Sequence, residues 1–474
     1  MKRFRLVVAF GILALFIQLA AQSCAPIVIS HGSAAELGMP ALKKPRTDGS
    51  EVFAPSHLSD GPLQFSTYLG GTNREGGRSI AADSEGNIFV TGFTDSEDFP
   101  VTKEGVTYNG GYFDAFVTKW SPNGSLIYST LLGGSSSEWG DSITLDEKGL
   151  PLITGFTTSD DFPMVDAFDS TLSGGQDCFI VKLDENGDII YSTYFGGSDD
   201  DRGYDIAPDG TGKVVVTGFT YSADFPMLHP FDNSHNGGAD CFIFELDIRS
   251  NSLQYSTFLG GSEWDSGNSL AVSSDGHVYV AGFTRSSNFP TINAIDSTIE
   301  GYSDAFVFKL NPSGNSSDFS SYLGGESSER VWGITLDSAE DVYIVGRTDS
   351  YDFPTVLNET RGGSSDAFIV RLNATSNDIT LSRFLGGLNQ DQAYDVKVNE
   401  AGEVYVCGST SSPNFPQVYS PYETDIDDST AFVCQLNRTN FAIEFSVVLD
   451  GSVTANSVSC DDSGGFFVTG QSDS

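Results

Sequence analysis

Short apolar runs broken by turn residues recur along this chain, and they predict short β-strands rather than helices. In the first clear copy, Ser79–Ala82 reads as a strand A and Ile88–Thr94 as a strand B, joined through Asp83-Ser84-Glu85-Gly86-Asn87. A longer loop carrying Asp98-Phe99-Pro100 leads to strand C at Ala115–Trp120. Ser121-Pro122-Asn123-Gly124 then turns the chain into strand D at Leu126–Leu132. The glycines of these turns supply the positive-φ residue that tight hairpins need.

The same blocks return in fixed order. Leu69-Gly70-Gly71 reappears at Leu132, Phe195, Leu259, Leu323 and Leu385, with Leu449-Asp450-Gly451 as a degenerate seventh copy. The glycine of Thr91-Gly92-Phe93-Thr94 returns at Gly155, Gly218, Gly282, Gly346, Gly408 and Gly470, a period of 62 to 64 residues. Asp114-Ala115-Phe116-Val117 is matched at Asp177, Asp240, Asp304, Asp366 and, altered, Thr430. Four-stranded antiparallel units at such a period bury their apolar faces by stacking radially. The expected fold is therefore all-β, a β-propeller of about seven four-stranded blades with the last one incomplete. Leu63–Leu69 reads as a lone D strand pairing with the last, truncated blade at 453–474, where Thr469-Gly470-Gln471 breaks off inside a motif. That break reads as a truncated chain.

These blocks resemble the bacterial seven-bladed β-propeller repeat family called SBBP. Ala82-Asp83-Ser84-Glu85-Gly86-Asn87-Ile88-Phe89-Val90-Thr91-Gly92 follows the family's repeat core almost throughout, and the Phe-Pro, Leu-Gly-Gly and Asp-Ala-Phe-Val blocks accompany it. The resemblance covers about residues 63–474 and implies a propeller on an exported or cell-surface protein. It brings no catalytic residues with it.

Charge narrows the partners. A formal net charge of −40 excludes phosphate-backbone binding, which needs a basic face, and any electrostatic hold on anionic lipid. Lys2, Arg3 and Arg5 precede an apolar run from Leu6 to about Ala21, the pattern of a signal peptide over 1–23, followed by a Pro-, Ser- and Gly-rich tether over 24–62. The protein is thus expected to be secreted or at the cell surface, monomeric, with Cys24 as the one place for a lipid anchor. The other five cysteines lack metal spacing; Cys178 and Cys241 replace a repeat alanine and read as buried thiols, and Cys407–Cys434 is a candidate bridge within one blade.

Candidate chemistry is sought where the repeats differ. The repeated Asp reads as a turn or cap acceptor and the Phe of Phe-Pro as an anchor between blades. B–C and D–A loops share one propeller face, and loops on a rigid scaffold are where binding residues collect. The D–A loops are read as holding Glu138, Trp139, Arg202, Glu263, Trp264, Asp265, Arg330 and Trp332, a mixture of ring faces and carboxylates suited to gripping a sugar. Asp199, Asp200, Asp201 and Asp205 form the best oxygen cluster for a metal, with Ca2+ the fitting ion and no other cofactor indicated. The five histidines come with no hydrolase motif. The expected function is a non-catalytic scaffold presenting this face to a glycan or an envelope or extracellular protein. An extracellular propeller hydrolase or lyase acting on polysaccharide is the competing class, and a ligand-free spacer the third.

Overall fold

The computed structural model describes residues 66–474, apart from 357–358, 419–425, 427–428, 450–452, 461–464 and 473–474, together with the backbone of Leu6–Phe10 and Ala25–Ile29. The leader and tether predicted over 1–62 otherwise lie outside the described residues, as does Cys24.

Among the described residues every element is a strand, and each repeat folds as an A-B-C-D antiparallel meander. Blade 1 runs Glu75–Ala82, Ile88–Thr94, Asp114–Trp120 and Leu126–Leu132. The A strands of the following blades are Glu138–Leu145, Asp201–Pro208, Asp265–Val272, Glu329–Leu336 and Asp391–Val398. Six sheets hold four strands, and the seventh holds only Val453–Cys460 and Phe466–Ser472. The expectation of about seven four-stranded blades is corrected to six complete blades plus a two-stranded one. Residues 63–65 of the proposed lone D strand lie outside the described residues, and Ser66–Leu69 is not in a strand. Leu69 nonetheless packs with Phe467, Ile80 and Ile88 where the seventh blade meets the first.

The A strands lie side by side around the axis, and that of blade 7 flanks that of blade 1, so the ring closes. Closure is polar as well as apolar. Asn456 Nδ2 donates to the Gly77 carbonyl at 2.8 Å, and the Ile80 amide donates to Ser457 Oγ at 3.4 Å. Between blades the core is continuous: Phe89, Val117 and Leu132 of blade 1 share a buried cluster with Ile143, Ile153, Phe162 and Phe179 of blade 2. Phe162, from Phe-Pro, stacks on Phe179 of its own blade with centroids 5.0 Å apart, inside the cluster that blades 1 and 2 share.

Strand A is longer than the expected Ser79–Ala82. It starts four residues earlier because a glycine lets the two inner strands approach: Gly77 pairs with Gly92, and the register slips by one at Arg78. The repeated Thr-Gly glycine has no room for a side chain. A Cβ on Gly155 would stand 1.8 Å from the Trp139 carbonyl oxygen, and the equivalents at Gly92, Gly218 and Gly470 are as tight. Gly155→Ala is expected to cost about 1–3 kcal/mol as an overpacked site. Chemical denaturation would show it as a lower midpoint at unchanged slope, and an unchanged midpoint would contradict the close approach.

The Cys407–Cys434 bridge does not form. Cys407 pairs with Val433 and Cys434 with Val406, so the two thiols stand on neighbouring positions of opposite sheet faces. All five cysteines among the described residues are free.

Candidate functional site

Each A strand opens with the same short sequence of environments. Its first residue is an acid turned into the blade junction: Glu75, Glu138, Asp201, Asp265, Glu329 or Asp391, all buried, with Val453 in blade 7. In blades 2 and 3 the next residue and the one in the bulge are polar or aromatic and less buried along the whole residue, Trp139 with Asp141 and Arg202 with Tyr204. These residues meet across blades. Arg78, Arg202 and Trp139, from blades 1, 3 and 2, stack together with both guanidiniums about 5 Å from the indole. They line the central channel.

The buried acids are structural. Glu138 accepts from the Gly134 amide at 3.1 Å, Thr157 Oγ1 at 2.6 Å and Ser159 Oγ at 2.5 Å, and Asp201, Asp265 and Asp391 repeat the arrangement. The Asp that opens strand C faces them. Asp177 accepts from the Ser173 and Gly174 amides, which is the cap role its repetition suggests. The carboxyls of Asp177 and Asp201 flank Gly196, each within 2.7 Å of where its Cβ would be, and Asp240 and Asp265 flank Gly260 likewise. Burial raises these groups first, and the neighbouring carboxylate adds to it: Asp114, Asp201, Asp240 and Asp304 are pushed up to about 7, and Asp177 to about 6. Burial beside a second carboxyl thus favours the protonated form of these groups.

The mouth of the channel is formed by cross-strand pairs at the top of each blade. They are Gly76 with Phe93, Trp139 with Phe156, Arg202 with Phe219, Ser266 with Phe283, Arg330 with Arg347, Gln392 with Ser409 and Thr454 with Gln471. Blades 1 to 4 thus present a phenylalanine, whereas blades 5 to 7 present Arg, Ser and Gln. On the aromatic side Phe93 and Trp139 stack at 4.4 Å, and the Arg202 guanidinium lies over Phe156 at 4.5 Å. Arg202 is also held by Asp141 through two hydrogen bonds of 2.9 and 2.8 Å, and Arg78 approaches the same carboxylate at 3.4 Å.

The residues singled out from sequence separate into three groups. Trp139, Arg202, Arg330 and Trp332 sit at the channel, on strand A and not in D–A loops as expected, because the glycine-mediated pairing carries the strand further up. Trp332 meets Tyr394 edge-on at 5.4 Å. Glu138 and Asp265 are the buried junction acids just described, also at strand starts and not in loops. Glu263 is exposed in the D–A loop, beside a partly buried Trp264 whose ring lies 5.8 Å from Phe283 and carries Arg285 at 5.1 Å. The four metal candidates do not converge. Asp199 and Asp200 are exposed in the loop and Asp201 points into the junction. Asp205 lies deeper, accepting from Ser142 Oγ, Ser269 Oγ and the Leu270 amide and so tying blades 2, 3 and 4. Among the described residues no three His, Cys, Asp or Glu side chains gather in a metal-binding arrangement. Arg285 and Arg347 were missed, although Arg347 stands where four repeats carry Phe. The top face also holds an open cleft of about 540 Å3 at blade 1, lined by Thr72, Asn73, Asp95, Glu97, Asp98 and Tyr108 among others.

The molecule is a β-propeller with a lined axial channel and its long loops gathered at one end. Residues 64–100 match the beta-propeller repeat family model SBBP, in agreement with the resemblance carried by Ala82–Gly92. A curated relative, the regulatory protein FlaEY of Caulobacter vibrioides, is 23% identical over 332 residues, which cover 64% of this chain and 34% of that protein. The chain therefore spans about a third of the relative's length. Among solved structures, BamB from Moraxella catarrhalis is similar at a TM-score of 0.38 and 12% identity, covering 87% of this chain and 94% of that one. The extracellular domain of a one component system from B. thetaiotaomicron is similar at a TM-score of 0.37 and 11% identity, covering 85% and 42%.

Proposed function

We propose that this chain is an exported or cell-surface binding scaffold whose ligand face is the end of the propeller carrying the B–C and D–A loops. The observation that carries the reading is the change of residue chemistry at that end. The junction acids and inter-blade anchors repeat from blade to blade, whereas the mouth changes from Phe in blades 1 to 4 to Arg, Ser and Gln in blades 5 to 7. A structural requirement common to all blades would keep one residue there. A rim whose side chains change from blade to blade above a rigid ring is the pattern of a recognition surface.

A non-catalytic role fits the chemistry better than hydrolysis of polysaccharide. The carboxyls raised toward neutrality are the ones a general acid would use, but they are buried beneath the Leu-Gly-Gly turns, away from any substrate in the channel. The test is a glycan array probed with the full chain, with calcium and again with chelator, beside the Trp139→Ala and Trp264→Ala variants. Binding of a defined glycan by the wild type, weakened at least tenfold in both variants, is the expected outcome. Unchanged binding in both would remove the mouth from the ligand face, and silence from a folded chain would favour a protein partner or a spacer.

A further inference from the structure

The mouth holds a feature that stability alone does not explain. Arg330 and Arg347 are directly opposite each other on the A and B strands of blade 5, a like-charge cross-strand pair that costs free energy. Arg285 follows the B strand of blade 4, whose Phe283 carries the Arg330 guanidinium at 4.6 Å. These are three of only 24 Lys and Arg residues in a chain of net charge −40. Their compensation is incomplete. Asp349 pairs with Arg347 through bonds of 2.9 and 3.1 Å. Arg330 makes no side-chain hydrogen bond or ion pair among the described residues. Arg285 Nε is buried and likewise unpartnered, the side chain resting on Trp264 and on Tyr302 at 4.6 Å. Desolvation and the neighbouring Arg285 and Arg347 push the Arg330 guanidinium below its ordinary value, as expected for cations crowded together.

We propose that Arg330 and Arg285 bind the carboxylate of a small ligand at the channel mouth between blades 4 and 5, with Arg347, itself held by Asp349, adding positive charge beside them. This assignment rests on the reading of that end as the ligand face. A planar fork of N–H donors left open is matched by a carboxylate's two oxygens. The half-buried Trp264, backed by the buried Phe283 and Phe219, offers an apolar flank beside it, so the carboxylate is carried on a ring with an apolar face. Gln392 and Gln471, on the blades that follow, complete the rim with neutral polar groups. Size follows from charge. A polyanion would lie across the acidic surface and be repelled, whereas a small anion samples only the local arginines within a screening length of about 8 Å. A uronic acid sugar and an aromatic acid share this chemistry.

The probes are sodium galacturonate and sodium benzoate, with galactose and benzamide as their uncharged counterparts, each titrated into the full chain and followed by calorimetry and indole fluorescence. Saturable binding of galacturonate or benzoate is expected, the stronger of the two identifying the ring, with at least tenfold weaker binding of the uncharged counterpart and a loss of affinity as salt is raised. Arg330→Gln is expected to lower carboxylate affinity at least tenfold while leaving the melting temperature unchanged or raising it, because it removes the like-charge pair. Arg249→Gln, distant on a C–D turn, should change nothing. The proposal is overturned if neither carboxylate binds a folded chain, or if binding survives both Arg330→Gln and Arg347→Gln. Should galactose bind as tightly as galacturonate, the arginine assignment fails while the ligand face stands. If the glycan array is silent as well, the small-ligand assignment falls and that end is left to a protein partner or to no ligand.

Discussion

The melting temperature is expected to rise as the pH is lowered from 8 to about 5, the reverse of the usual behaviour of an acid-rich protein approaching acid denaturation. Asp114, Asp201, Asp240 and Asp304 sit near 7 and Asp177 near 6 in the fold, chiefly because they are buried, against an ordinary value of 3.8. A carboxyl raised on folding binds its proton more tightly in the native state. Its stabilising contribution is complete below about pH 4 and is lost as the pH rises through about 7. Opposing groups set the lower limit. Asp275 is held at about 2 by hydrogen bonds from Ser273 and His277, and Asp146, Asp209 and Asp247 are also lowered. Their contribution is present above about pH 4 and disappears below it, so the optimum falls between about pH 4 and 6. Asp240→Asn isolates one raised group. Its Oδ1 has no partner, and the Asp240 and Asp265 carboxyls flank Gly260. The variant is expected to gain on the order of 2 kcal/mol at pH 8 and nothing at pH 4, since each tenfold difference in proton affinity between the folded and unfolded chain corresponds to about 1.4 kcal/mol. Equal effects at both pH values would show that Asp240 is ionised in the fold at both.

The second large effect is expected at Asp141. Its side chain is almost wholly buried in the channel wall and balances Arg202 and Arg78. Asp141→Ala leaves the Arg202 guanidinium against Phe156, Trp139 and Tyr204 without a counter-charge, at a cost of about 3–5 kcal/mol. Adding Arg202→Met should recover much of that loss, because a methionine side chain keeps the ring contacts and needs no partner. Denaturant melts of the two single variants and the double close the cycle. Strictly additive losses would show that Asp141 and Arg202 are not coupled, and would remove the pair as a support of the channel.

The contrast between the two sets of groups explains how the chain carries its charge. In six of the seven blades an acid is buried at the head of strand A, and most of these face the strand C carboxyl of the preceding blade, which is buried as well. Five of the eleven arginines among the described residues, Arg78, Arg202, Arg285, Arg330 and Arg347, stand at the channel or its mouth.

How far the sequence reached can be seen strand by strand. Strands B and D of blade 1 were legible to the residue, Ile88–Thr94 and Leu126–Leu132, because local alternation and flanking turns delimit them. The start of strand A was not. Glu75 and Gly76 look like loop residues, and only the approach of Gly92 to the Gly76 carbonyl, at a depth allowed by two glycines, makes them strand. That one displacement moved Trp139, Arg330 and Trp332 from an imagined loop to the channel wall. The acids next to them were read as loop ligands and not as buried, since burial depends on the neighbouring blade. The incomplete seventh blade was legible from the absence of a further strand C block.

The chain alone therefore determined period, strand order and turn positions, because these depend on residues close in sequence: alternating apolar positions, glycine turns and the spacing between them. The tertiary structure decided which side chains meet. Arg78, Trp139 and Arg202 touch from three blades, and Arg330 opposes Arg347 beside Arg285, only because ring closure brings equivalent strands onto one axis. Contacts about sixty residues apart have no local signature, and whether a charge is buried, paired or left open is a property of that assembled surface.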